Sequence, residues 1–196
     1  ALKANFINLD AVNSKSVILE AFPNLKAKNW GDDLIAKWRE QVRAYLKNDW
    51  LPAAIFYRLN ELKRNFDLCL VPDVGLFAYV GEIVWQAKTP KEFLGSNNGR
   101  FMGTAIPTAI GAALARPEQK FICAFGDGGA RPYLSEIKLA VQEQLPILFI
   151  LMSDGGYGTF AAKARAKALS KSAYLIKNPS WFKAVQAMGC PSAQAA

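Results

Sequence analysis

Two runs that are apolar from end to end, Phe121-Ile122-Cys123-Ala124-Phe125 and residues 146–152, flank a segment of helical period at residues 133–144. A strand with one face in water alternates polar and apolar residues, so a strand that is apolar throughout needs cover on both faces. Residues 68–71 form a third such run, and helical patterns at residues 76–86 and 104–115 separate it from the second. Strands and helices in alternation predict an α/β fold, an open, mostly parallel sheet with helices on both faces. Upstream, residues 33–47 carry Leu34, Ile35, Trp38, Val42, Tyr45 and Leu46 at helical spacing, and residues 51–65 carry Leu51, Ile55, Leu59 and Leu62. Residues 6–10 read as a strand end. Residues 161–177, rich in Ala and Lys, have helical propensity without an apolar stripe, and residues 181–188 again read as helix.

Each apolar run stops at a carboxylate and glycine: Asp73-Val74-Gly75, Gly126-Asp127-Gly128-Gly129 and Asp154-Gly155-Gly156. Open α/β sheets bind ligands at the carboxyl ends of their strands. Glycine there lets the backbone approach a ligand closely, and a helix expected to start after Ala130 would aim free N–H groups at an anion. The acids would then hold a cation that neutralises the anion. Blander roles compete: Asp127 as a helix N-cap, Asp154 as a turn residue in Asp-Gly-Gly, and Met102 as core filler.

Composition narrows the chemistry. At 196 residues and 52% hydrophobic, the chain can bury a core of one domain plus an appendage. It has no His, which excludes a Ser-His-Asp triad, a His metal site and an imidazole relay within the chain. Cys69, Cys123 and Cys190 lack CxxC spacing and read as free thiols. The net charge of +8 includes one basic cluster, Lys163, Arg165, Lys167, Lys171 and Lys177, without a nucleic-acid motif beside it, so a solvated basic face is expected and nucleic acid is not. The longest apolar stretch, residues 145–152, is under half of the ~20 residues of a membrane span, and no charged-then-apolar leader opens the sequence. No membrane partner and a cytoplasmic location are the expectations. No GxxxxGK occurs, and Arg131 stands where a dinucleotide fingerprint needs its third glycine.

Residues 126–158, GDGGARPYLSEIKLAVQEQLPILFILMSDGGYG, resemble the signature of thiamin-diphosphate-dependent enzymes, in which GDG is followed at a similar distance by NN; here Asp154 stands at the second Asn, 27 residues after Asp127. Gly99-Arg100-Phe101-Met102-Gly103 and Ile106-Pro107-Thr108-Ala109-Ile110-Gly111-Ala112 resemble a segment of acetolactate synthases and benzoylformate decarboxylases. Pro72-Asp73-Val74-Gly75 is similar to the strand end that opens their cofactor domain, and Asn178-Pro179 to the entry of their last helix.

The resemblance implies the thiamin-diphosphate-binding fold, with the end of a middle domain and a linker helix over residues 1–48 and a cofactor domain, truncated at its end, over residues 49–196. It implies thiamin diphosphate and Mg²⁺ as cofactors. The metal would take the side chains of Asp127 and Asp154 and the carbonyl of Gly156. Cofactor contacts would come from Arg100, Met102, Gly126, Asp127, Gly128, Gly129, Asp154, Gly156, Tyr157 and Gly158, with Met102 propping the cofactor into a bent shape and Arg100 offering a backbone carbonyl. Glu136 matches a family Glu and reads as structural. Leu76 and Phe77 replace residues that are often polar. The activating glutamate belongs in that family to a pyrimidine-binding domain of a neighbouring subunit, so no residue of this chain is assigned to it. The implied activity is decarboxylation of a 2-oxo acid, with or without carboligation, in a homo-oligomer (dimer or tetramer) or with a separate pyrimidine-binding subunit. The alternative is a catalytically silent regulatory or assembly subunit of the same fold.

Overall fold

The computed structural model describes residues 31–46, 50–95, 99 and 101–195. The chain divides into two compact units, Ala1–Val42 and Arg43–Ala196. The strand end expected at residues 6–10 lies outside the described residues, and within residues 31–42 the chain enters helix α1 (Asp32–Tyr45), whose first turn carries Asp32 and Asp33 against the positive end of its dipole.

The second unit is built on three strands, β1 (Leu68–Pro72), β2 (Lys120–Gly126) and β3 (Ile147–Met152), all parallel and in the order β1-β2-β3. Cys69 pairs with Phe121, and Phe121 with Ile147, which carries one face through all three strands. On that face Cys69, Val71, Phe121, Cys123 and Phe125 join Ala105, Ile106, Ala109, Ile110 and Ala113 of helix α4 (Ala105–Ala115) in one buried cluster. Toward the other face, helix α2 (Leu51–Leu62) buries Phe56, and helix α3 (Leu76–Val84) brings Gly81 so close that a β-carbon there would lie 3.0 Å from the Phe56 ring and 3.5 Å from Leu70. Helices therefore cover both faces, as the apolar strands require. β1 is buried throughout, whereas β3 is half-buried, with Leu148 exposed. Among the described residues β3 has a strand neighbour on one side alone, which leaves it less covered than its sequence suggests.

The helix after β2 differs from expectation. It begins at Asp127 directly, as α5 (Asp127–Tyr133), passes through a 3-10 turn at Leu134–Glu136 and resumes as α6 (Ile137–Gln142). Pro132 inside α5 has no N–H to return to the preceding turn, so the helix cannot run unbroken. Beyond β3 the basic segment forms α7 (Gly158–Ala166) and a 3-10 turn at Lys171–Ala173 rather than one long helix. The five basic residues of its cluster are exposed. Helix α8 (Trp181–Ala187) is capped by the Ser180 hydroxyl, which accepts from the Lys183 N–H, and packs Trp181, Ala184 and Val185 against the core.

Cys69 and Cys123 are buried free thiols and Cys190 is half-buried. Burial pushes the Cys69 thiol up to about 11, against the pull of Arg116, and raises Cys123 and Cys190 as well, so none is primed as a nucleophile.

Candidate functional site

The parallel register sets the carboxyl ends of the three strands side by side, and with them Asp73, Asp127 and Asp154. Asp73 is 1% exposed and continues the β1–β2 ladder, its N–H donating to the Ala124 carbonyl at 2.7 Å. Both of its carboxyl oxygens accept from the Gly103 N–H, at 2.8 and 2.9 Å, which ties the approach to α4 onto the end of β1. Burial raises its pKa above the usual carboxylate range, with backbone N–H groups from Gly103 and its neighbours opposing the rise. The folded state thus holds this proton more tightly than the unfolded chain. Its contribution is complete below the ordinary value of 3.8 and is lost as pH rises through the raised native value. Asp73→Asn, which has no such proton to lose, is expected to gain stability relative to wild type as pH rises through that window. Denaturant midpoints at matched pH check this; a constant gap would contradict it.

Asp127 lies at the end of β2 as the first residue of α5. Gly126 is the cap residue, and no side chain caps this helix, so the N-cap role does not hold. The carboxylate, 1% exposed, turns instead toward the loop after β3 and the entry to α8. One oxygen, Oδ1, accepts from Ser153 Oγ at 2.7 Å, Asn178 Nδ2 at 2.7 Å and Trp181 Nε1 at 2.8 Å. The other, Oδ2, accepts from the backbone N–H groups of Asp154 at 3.0 Å and Gly155 at 2.9 Å. Sequence reasoning missed Ser153, Asn178 and Trp181 as partners; Asn178-Pro179 signalled a helix entry, and nothing local in it points to a carboxylate 51 residues away.

Asp154 is exposed, and its Oδ1 accepts from the Gly156 N–H at 3.1 Å, a side-chain turn of the kind its Asp-Gly-Gly sequence favours. Gly156 is buried and paired antiparallel with Leu175, flanked by bonds from the Tyr157 N–H to the Tyr174 carbonyl and from the Ile176 N–H to the Gly155 carbonyl. Gly158 opens α7 beside the Asp154 carboxylate. Over Gly128 sit the Tyr157 ring and the Met102 sulfur: a β-carbon there would lie 2.9 Å from the first and 3.1 Å from the second. Met102 is 43% exposed, so it is not core filler. Gly129 backs onto Asp73, and Gly126 onto the buried Phe77 ring, 3.0 Å from its would-be β-carbon. Leu76 and Glu136 are exposed. Arg100 lies outside the described residues.

The arrangement tests the groups that the motifs imply. Met102 and Tyr157 pack over Gly128, where a side chain in place of glycine would intrude. A magnesium centre on Asp127, Asp154 and Gly156 does not fit. A carboxylate has about four lone-pair sites, and Asp127 already accepts five donors. With both oxygens engaged, Asp127 presents no free ligand oxygen in this arrangement.

Known proteins place the fold and its family. Residues 73–196 match the family described as thiamine pyrophosphate enzyme, C-terminal TPP binding domain. The chain is 33% identical over 104 residues to a catabolic acetolactate synthase of Raoultella terrigena, covering 53% of this chain and 18% of that protein. It is 30% identical over 153 residues to an acetolactate synthase of Bacillus subtilis, covering 76% and 26%. The chain thus spans about a quarter or less of the length of these relatives. A crystal structure of benzoylformate decarboxylase from Polynucleobacter necessarius shares the fold, with a TM-score of 0.62 at 19% identity over 72% of this chain and 27% of that one. A parallel sheet with its acids and glycines at the strand ends, and a family match over most of the chain, make this protein a member of the thiamine pyrophosphate enzyme family, with that family's C-terminal TPP-binding domain at residues 73–196.

Proposed function

We propose that the chain supplies the diphosphate-side half of a thiamin-diphosphate- and magnesium-dependent enzyme that decarboxylates a 2-oxo acid, with or without joining the product to a second carbonyl. The observation that carries the reading is the packing of Met102 and Tyr157 over Gly128 at the end of β2, on a domain of this family. Bound thiamin diphosphate supplies a stabilised carbanion for attack on a carbonyl carbon. The chain's own part is to seat the rings against Met102 and Tyr157 and to let the backbone at Gly126, Gly128, Gly129 and Gly158 approach the diphosphate. In this reading Mg²⁺ arrives with the diphosphate, and Asp154, the exposed carboxylate, and the Gly156 carbonyl are its contacts. The working unit is a dimer or tetramer, or an assembly with a separate pyrimidine-binding subunit that brings the activating glutamate. The substrate is a small 2-oxo acid and the location cytoplasmic.

Calorimetric titration of thiamin diphosphate into the native oligomer, with Mg²⁺ and with chelator, tests this. Saturable binding is expected in Mg²⁺, weakened about tenfold, or about 1.4 kcal/mol, by Met102→Ala. Because Met102 is exposed, that variant should keep its fold. No saturable binding by a folded oligomer would sink the enzyme reading and leave the domain as a scaffold.

A further inference from the structure

The five donors on Asp127 come from three places in the chain: the end of β3 (Ser153), the loop that follows it (Asp154 and Gly155), and the turn into α8 (Asn178 and Trp181). We propose that Asp127 is an internal anchor rather than a metal ligand: its carboxylate fastens the β3–α7 loop and helix α8 to the end of β2, and any cation accompanying a bound diphosphate is held without it.

Three observations converge. Asp127 is 1% exposed, so its carboxylate is withdrawn from bulk water. All the partners that touch it are donors, and a buried carboxylate is stabilised by donors that satisfy both oxygens. Backbone bonds from the Tyr157 N–H to the Tyr174 carbonyl and from the Ile176 N–H to the Gly155 carbonyl tie the loop to the segment before α8, and the Asp127 carboxylate joins both to the end of β2. α8 meets the core through apolar side chains, and an indole N–H and a carboxamide aimed at one oxygen fix its rotation and depth as apolar packing alone does not. The Asn178 carboxamide is oriented by this contact as well. Its Nδ2 faces Asp127, while its Oδ1 is buried without a partner, an arrangement that makes sense when the Asp127 bond sets the orientation.

An anchor and a ligand respond oppositely when metal is absent. In chelator and without cofactor, Asp127→Asn should lower the melting temperature by about 10 °C, since an amide turned toward these donors leaves several of them unsatisfied. Hydrogen exchange should speed up in the loop after β3 and in α8. A metal-ligand carboxylate stripped of its cation would leave the variant as stable as wild type or more so, and that result would overturn the proposal. Trp181→Phe is the second arm, should Asp127→Asn fail to fold. It keeps an aromatic ring in place and removes one donor. With Mn²⁺ as the probe, an anchor predicts affinity no tighter than wild type, while a ligand freed from a competing donor would bind Mn²⁺ several-fold more tightly and overturn the proposal. Neither arm requires thiamin diphosphate to bind, so failure here is distinct from failure of the enzyme reading.

Discussion

Gly129→Ala should abolish cooperative folding or cost about 4 kcal/mol or more, a large part of the ~5–15 kcal/mol that stabilises a typical domain. A β-carbon at position 129 would fall inside the van der Waals envelope of Asp73 Oδ2 and 2.8 Å from its Cγ. Asp73 has nowhere to go. Its backbone is in the β1–β2 ladder, both its oxygens hold the Gly103 N–H, and it is buried. Relief would break those bonds and strand a buried carboxyl. Gly128→Ala, one residue away, is the control. Its β-carbon would meet the Tyr157 ring and the Met102 sulfur, ends of side chains that can swing aside, so a loss of about 1 kcal/mol is expected. Denaturant titration of both variants decides; equal midpoints would show that Asp73 is not wedged against the helix.

The second large effect is at Phe125. It is 1% exposed, meets Phe149 edge-to-face with ring centroids 6.4 Å apart, and is the last core residue before Gly126 and Asp127. Phe125→Ala removes a ring from the buried cluster and should cost about 3–5 kcal/mol, lowering the melting temperature by about 10 °C. Phe125→Leu keeps most of the volume and should cost less than about 1.5 kcal/mol. The cavity lies directly beneath the strand end that presents Asp127. Thiamin diphosphate binding should therefore weaken in the alanine variant even at temperatures where it stays folded, and scanning calorimetry with and without cofactor measures both effects.

Much of this was legible from residues in order. The strands at residues 68–71, 121–125 and 147–152 stand within a residue or so of where their apolar runs put them, because a strand covered on both faces leaves an unbroken apolar record. The spacing from Asp127 to Asp154, with the segment around Met102, led to the family. The partners of Asp127 were not legible. Asp127 and Asp154 end adjacent strands as expected, but being neighbours does not decide which way a carboxylate turns. That depended on the indole of Trp181 and the amide of Asn178, 54 and 51 residues along the chain. The start of α5 was misplaced for a simpler reason: Gly-Asp-Gly-Gly reads as loop by propensity, yet the helix begins at Asp127, with Gly129 packed against Asp73.

Periodicity and spacing are local properties, so the chain's order of residues was enough to specify a parallel sheet, helical cover on both faces and a row of acids and glycines at the strand ends. The orientation of each acid is a contest among donors brought together from distant segments, and it is settled by which of them the folded backbone carries within hydrogen-bonding distance. Asp73 is held by the approach to α4, Asp127 by the β3 loop and α8, and Asp154 is left to its own turn and to solvent.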